Sequence, residues 1–317
     1  MTEPSLAIVI RTAGERTVSA CHELIARQAL GIPIEIVSER PFEAALAKTY
    51  EIGLDLSRDW TMTLDGDVLL RKGALGALIE AAATVPDHYA QIEGRIFDKL
   101  LGTYRHAGHR LYRTRLLEKA RAFIPRPGDE IRPEFSTLRK LALSGFPSRR
   151  IGAVVGIHDF EQYYGDLLRK SFVHGNKHRE FARTFIERAR SHVADDADYL
   201  VLLRGYWKGL DNTDPVHIDR ASIKDTEAIL SAMGLTEKDT VASGILDFDF
   251  IEAVLAGTAL PDDRYPYDLH VNGEWGPEGA NAFSSPPPHE KGQLAGLLER
   301  LTARLRSGSR KSIGKAQ

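Results

Sequence analysis

Short, β-branched apolar runs alternate with segments of helical spacing through the first third of the chain, and no other feature limits the fold as strongly. Leu6 to Ile10 reads as a buried first strand whose exit loop is Arg11-Thr12-Ala13-Gly14. Thr17 to Leu30 has helical spacing and is stopped by Gly31-Ile32-Pro33. Ile34 to Val37 reads as a second buried strand, ending in Ser38-Glu39-Arg40, and Phe42 to Leu56 as a second helix. Trp60 to Leu64 is a third strand that runs into Asp65-Gly66-Asp67, and Lys72 to Ala83 a third helix. Strands that are apolar throughout belong in a parallel sheet covered on both faces. The expected fold class is α/β, a mostly parallel sheet flanked by helices.

Such sheets bind ligands at the carboxyl ends of their strands. Arg11, Thr12, Glu39, Asp65 and Asp67 all fall there. An extended chain points Asp65 and Asp67 to the same side, and Gly66 lets the backbone turn tightly between them. Two carboxylates so close stay ionised most easily around a cation, and oxygen ligands suit Mg²⁺ or Mn²⁺ shared with a phosphate. The competing reading is a surface turn, for which Asp-Gly is a common dipeptide. The placement at strand ends favours the metal.

Several function classes are excluded or disfavoured. The 317 residues carry a formal net charge of −2, which gives no basis for nucleic-acid binding. No G-x-G-x-x-G follows the first strand and no G-x-x-x-x-G-K-[ST] occurs, which disfavours dinucleotide and P-loop folds. The lone cysteine, Cys21, sits in an amphipathic helical segment and reads as a buried core thiol in a reducing compartment. MTEPSLAIVIRT has no basic segment leading into an apolar one, so a cytoplasmic location is the expectation.

Further along, Tyr89 to Phe97 and Gly108 to Arg113 read as strands, and Thr114 to Ala122 as a helix. The loop Pro125 to Pro133 carries Asp129 and Glu130 and precedes a helix from Glu134 to Ser144. Ile151 to Ile157 is a β-branched strand ending at His158-Asp159, followed by one long polar helix from Glu161 to about Arg190. Within it Arg169, Lys170, His174 and Lys177 share much of one face. That face suits a diphosphate or an anionic acceptor, or is simply solvated. Residues 191–283 read as a mainly helical C-terminal region and 284–317 as a linker, SSPPP, with a tail apolar at Leu294, Leu297, Leu298, Leu301 and Leu305. From Glu290 onward seven Lys/Arg face two Glu. A basic amphipathic helix of this kind suits peripheral contact with the inner face of an anionic membrane, and docking on the domain is the competing reading.

In this order the features of Leu6 to Lys177 resemble a nucleotide-sugar glycosyltransferase of the GT-A fold, most like the family-2 group. The resemblance rests on the first strand with its Thr12 exit loop, the second strand ending near Glu39, the helix leading to the D-x-D motif Asp65-Gly66-Asp67, and the later strand ending in His158. It departs where the second strand ends Ser-Glu-Arg rather than Asp-Asp-x-Ser, where Lys48 replaces the more frequent Asn or Arg, and in lacking Q-x-x-R-W.

The resemblance implies residues 1–190 as catalytic domain and a hexosyl transfer from a nucleoside-diphosphate sugar to a glycan, lipid-linked or protein acceptor, as in polysaccharide biosynthesis. It implies Mn²⁺ or Mg²⁺ on Asp65, Asp67 and His158. Arg11, Thr12, Glu39, Lys48, Asp65, Gly66, Lys170 and Lys177 would contact the nucleotide sugar. Glu134, Glu130 and Asp129 are the candidates for the general base of an inverting transfer. Two rivals stand beside this reading: a sugar-nucleotide nucleotidyltransferase, with Ala13-Gly14-Glu15-Arg16 as its loop, and a non-catalytic GT-A-like binding scaffold.

Overall fold

A computed structural model describes residues 5–214, 216, 223–260 and 263–277. Strand β1 (Leu6–Arg11) is buried along its whole length, and β2 (Ile34–Val37) and β3 (Trp60–Asp65) pair with it in parallel on either side. Antiparallel β7 (His109–Arg113) joins β3 to β5 (Gln91–Asp98), which runs parallel to β8 (Ser148–His158). The hairpin β9 (Tyr267–Leu269) and β10 (Trp275–Pro277) extends the sheet beyond β8. Short β4 (Val68–Leu70) and β6 (Thr103–Arg105) pair with the carboxyl ends of β8 and β5. The result is an α/β architecture with a mixed sheet flanked by helices, parallel in its β2-β1-β3 and β5-β8 parts.

Side chains alternate between two helical layers. Ile8, Ile10, Met62 and Leu64 meet α1 (Val18–Ala26), α3 (Ala74–Thr84) and α10 (Phe248–Ala256) on one face. Val9 meets Ala45 of α2 (Phe42–Leu56) on the other, where α4 (Leu117–Ala122) and α5 (Pro133–Leu143) complete the layer. Each fully buried Ile or Leu contributes about 1.5–3 kcal/mol. Cys21 is 1% exposed in this core, and burial first, then Asp67 and Asp65, pushes its thiol well up, so it is inert packing.

Two expectations are corrected. β2 is not a buried strand but the sheet's edge, with only Val37 buried and Ile36 53% exposed. The single helix expected from Glu161 to Arg190 is broken: α6 (Tyr164–Lys177) ends before a 3₁₀ turn at Arg179–Phe181, and α7 (Ala182–His192) follows. The break lies at His178, whose carbonyl accepts the Tyr206 hydroxyl at 2.8 Å from α8 (Ala197–Asp211). With α9 (Thr226–Ala232) these helices form their own cluster around Leu167, Leu202 and Phe185.

α6 and α8 approach backbone to backbone. A Cβ on Gly175 would strike the Tyr206 carbonyl, one on Gly205 the Leu168 carbonyl, and one on Gly209 the Phe172 carbonyl. This contact aims the Lys170–Lys177 face of α6 at the sheet's carboxyl ends. Beyond α8 the chain combines helices with the β9–β10 hairpin, whereas the SSPPP linker and the amphipathic tail lie outside the described residues. Among the described residues no helix is long and apolar enough to cross a membrane.

Candidate active site

Four strand ends converge. β1 ends in Arg11, β3 in Asp65, β5 in Asp98 and β8 in His158, with Arg11 paired in register to Asp65 and Asp98 to His158. Hairpin-like pairing of β4 with β8 sets Val68 opposite His158 and so brings Asp67 alongside it. The close fit there needs glycine: a Cβ on Gly156 would run into the Leu69 carbonyl and one on Gly108 into Val68.

Asp67, His158 and Asp159 form a buried group whose ligand atoms lie within 4.8 Å of one another. Asp67 Oδ1 takes no hydrogen bond, although His158 Nε2 stands 3.4 Å away, and that distance marks a loose ion pair with an oxygen still available. His158 Nδ1 is held by Asp98 Oδ2 at 2.9 Å and Asp159 Oδ2 at 3.0 Å, which leaves Nε2 facing Asp67. A carboxylate behind a histidine whose other nitrogen faces a carboxylate is the arrangement of a metal-ligating imidazole with its orienting partner. Asp159 sits in the left-handed region at φ 64 while 2% exposed, a strained backbone that holds its carboxylate at the group. The donor set of two carboxylates and one imidazole fits Mn²⁺, and also Mg²⁺ less closely.

Lys170 reaches down from α6 and salt-bridges both Asp67 and Asp159. Burial opposes the charge on Asp67, but Lys170 and His158 outweigh it and hold this carboxyl well below the usual range. Burial likewise opposes the imidazolium of His158, and Asp159 and Asp67 raise it well above the ordinary histidine value.

Asp65 stands apart from this group. Its Oδ1 accepts Arg11 Nε at 2.8 Å, while Oδ2 has no hydrogen bond among the described residues and the side chain keeps 30% exposure. Burial, resisted by Arg11 and reinforced by Asp67 and Glu134, lifts its carboxyl to about 6. Asp65, expected as a metal ligand, lies outside the Asp67–His158–Asp159 group and is held by Arg11.

Glu134, at the start of α5, is enclosed. Arg11 Nη1 donates to it at 2.9 Å, Tyr112 Oη at 3.0 Å, and Arg110 forms a third, short bond. Burial pushes its carboxyl up, but Arg11 and Arg110 prevail and hold it at about 2. An acid held so low, with both oxygens engaged, accepts a proton poorly. Asp129 and Glu130 lie on the exposed loop, Glu130 accepting from Ser136 Oγ at 3.3 Å, and neither lines the cavities over the strand ends.

Two connected cavities open over the strand ends. One, of about 340 Å³, is walled by Arg11, Thr12, Glu39, Asp67, His158 and Lys170. The other, of about 540 Å³, lies toward α5 and α7, and Asp65, Arg105, His174 and Lys177 line both. Thus the Lys170, His174 and Lys177 face of α6 does turn to the site. Gly66 supports the site without walling it: its N–H donates to the Arg11 carbonyl at 2.8 Å and its carbonyl accepts Thr17 Oγ1 at 2.8 Å. Gly66 is not in a left-handed turn. A Cβ there would come within 2.9 Å of Glu15 Oε2, so space rather than backbone freedom favours glycine. Lys48 faces away, paired with Glu51 at 2.7 Å on the exposed side of α2. Tyr164 packs into the helical cluster and Tyr163 lines a separate hollow.

Asp98, and the place of Asp159 in the buried group with Asp67 and His158, escaped the sequence reading. The signal was available for both, since each is an acid at a strand's carboxyl end, but Asp98 had no motif spacing to mark it.

No family model matches this chain, and no curated protein sequence does. Its course is similar to those of several solved structures. The mannosyltransferase from Pyrobaculum calidifontis, solved with GDP-Man and Mn²⁺, is 12% identical over 74% of this chain and 80% of that one, at a TM-score of 0.38. A glycosyltransferase involved in glycosylation of the major capsid of PBCV-1 is 16% identical over 49% of this chain and 83% of that one, at 0.33. The CMP:2-keto-3-deoxy-manno-octonic acid synthetase complexed with CTP is 12% identical over 49% and 92%, at 0.32. Likenesses this loose concern the course of the chain alone.

Proposed function

We propose that this protein is a glycosyltransferase moving a sugar from a nucleoside-diphosphate sugar to a hydroxyl of a glycan, lipid-linked or protein acceptor, with inversion. The observation that carries it is the buried Asp67–His158–Asp159 group beside an open, separately held acid, Asp65, at the mouth of two joined cavities. Perturbed acids clustered in a cleft mark functional sites.

In this reading the donor occupies the cavity walled by Thr12 and Glu39, with its diphosphate toward Lys170. Asp67, His158 and Asp159 would hold a divalent ion, which when bound would supply Lewis-acid charge for the leaving diphosphate. Asp65, the one carboxylate lining both cavities, takes the proton from the acceptor hydroxyl as that oxygen bonds to the anomeric carbon. The bond from that carbon to the diphosphate breaks, and the nucleoside diphosphate leaves. Glu134 keeps Arg11 in place, and through it Asp65. This assignment moves the base from Glu134, Glu130 and Asp129 to Asp65.

The nucleotidyltransferase rival needs free backbone N–H groups in the first loop to cradle phosphate. Here Ala13 N–H donates to Glu15 at 2.9 Å and Gly14 N–H to Thr12 Oγ1 at 2.8 Å, and Glu15 adds a negative charge. A pure binding scaffold would have no use for a buried group of three acids around one histidine.

The test is a thermal-shift screen of UDP-, GDP- and dTDP-sugars, with and without Mn²⁺, on wild type and Asp67→Asn. A ligand at a hundred times its Kd stabilises the folded state by about 2.7 kcal/mol. One nucleotide is expected to raise Tm with Mn²⁺ in the wild type only. No shift with any of them would move the weight to the scaffold.

A further inference from the structure

From the larger cavity we infer that the acceptor is anionic, a sugar bearing a phosphate or a carboxylate; this rests on the glycosyltransferase reading above. At about 540 Å³ the cavity has the size of a small-molecule site. Its charge is one-sided. Arg105, Arg110, Arg132, Arg150 and Lys177 line it, against the two carboxylates Asp65 and Glu134. Glu134 is already matched by Arg11 and Arg110, and Arg105 and Arg150 have partners in Asp98 and Glu93 at 2.5 and 2.8 Å.

Arg132 and Lys177 have no carboxylate partner among the described residues. The guanidinium of Arg132 hydrogen-bonds the ring of His178 at 2.5 Å, and the carboxylate nearest in effect, Glu180, holds the far side of that ring at 3.2 Å without forming an ion pair with Arg132. Burial, with Arg132 and Arg105 adding to it, brings the Lys177 ammonium down to about 8, as expected of cations gathered without an anion. The planar fork of arginine matches carboxylate and phosphate alike. The rest of the wall mixes aliphatic Leu101 and Ile131 with aromatic Phe135 and Phe181, of which Phe181 is 55% exposed, and with Trp275, whose face is covered by Arg150. Aromatic faces with a few converging cations suit a sugar ring carrying an oxyanion, and a neutral acceptor would leave those cations crowded and unmatched.

The experiment is calorimetric titration of the full chain, saturated with Mn²⁺ and the nucleoside diphosphate found in the thermal-shift screen, with glucose 6-phosphate, glucuronate and glucose. At least one anionic sugar is expected to bind ten times or more tighter than glucose, and the tighter of the two names the group. Arg132→Ala, at an exposed position, is expected to weaken that binding fivefold or more while leaving nucleotide binding intact, and Lys177→Met to weaken it as well. Equal binding of glucose and both anions, anion binding unchanged in both variants, or displacement of the anion by excess nucleotide would overturn the inference while leaving the donor site standing. Failure of the nucleotide to bind wild type would instead remove the reading on which it rests.

Discussion

Replacing Glu134 by Gln separates its two competing roles. The substitution keeps the volume and removes one buried charge between Arg11 and Arg110. A carboxyl held at about 2 rather than its ordinary 4.5 corresponds to about 3 kcal/mol of folding free energy. A second route gives the same size: removing one partner of a buried ion pair costs about 3–5 kcal/mol, and Asp65 and Glu93 remain to soften the loss for the two arginines. Glu134→Gln is therefore expected to lose about 3 kcal/mol in urea unfolding at pH 7, or on the order of 4–5 °C in Tm for a chain of 317 residues.

The pH dependence has a definite sign. The folded state holds the proton less tightly than the unfolded chain, so the stabilisation is fully present above about pH 5 and fades as pH falls toward 2. Urea midpoints of wild type and variant should converge over that window. A variant as stable as wild type at pH 7, with kcat reduced by about 10²–10⁴, would refute this reasoning and return the general base to Glu134.

Asp65→Asn should keep its fold, read by circular dichroism, while transfer to the acceptor falls by about 10²–10⁴; a fall of less than tenfold would exclude it as base. Asp67→Asn and Asp159→Asn should each weaken Mn²⁺ binding at least tenfold, as read from the free-ion electron paramagnetic resonance signal, on the order of the loss of a supporting ligand. Lys170→Met should tighten the same binding, because the ammonium and the ion share Asp67 and Asp159; unchanged affinity would show that they do not compete. Gly205→Ala should cost about 1–3 kcal/mol through collision with the Leu168 carbonyl, and an unaltered urea midpoint would contradict the close α6–α8 crossing.

The parts of the molecule legible in the sequence are those fixed by local pattern. Apolar runs without alternation gave the buried strands, and α2 begins and ends at Phe42 and Leu56 as its spacing predicts. The edge position of β2 was hidden because four residues, Ile-Glu-Ile-Val, are too few to show by pattern which faces are covered, and what covers them is a tertiary matter. At the break the His178 carbonyl is taken by the hydroxyl of Tyr206, 28 residues away, a contact that spacing within α6 does not show. A G-x-x-x-G spacing in Gly205 to Gly209 was readable, but its meaning required Gly175 to stand opposite.

The site divides along the same line. Which strand ends carry acids is written locally, whereas which acids share a space is decided by register. Two residues apart, Asp65 and Asp67 look like one ligand pair, yet the chain turns between them into β4, and each joins a different neighbour: Asp65 goes to Arg11 across the β1–β3 pairing, Asp67 to His158 across β4–β8. The resulting division of labour follows from charge. Arg11 has Glu134 as well as Asp65 to neutralise it, so Asp65 is held in place while one oxygen stays open. Asp67 faces a histidine and a lysine that an added divalent ion would have to share or displace. Acids of one motif thereby acquire opposite tendencies, one toward keeping its charge and the other toward accepting a proton near neutrality, and a transfer that needs both a charged leaving-group site and a base can use them side by side.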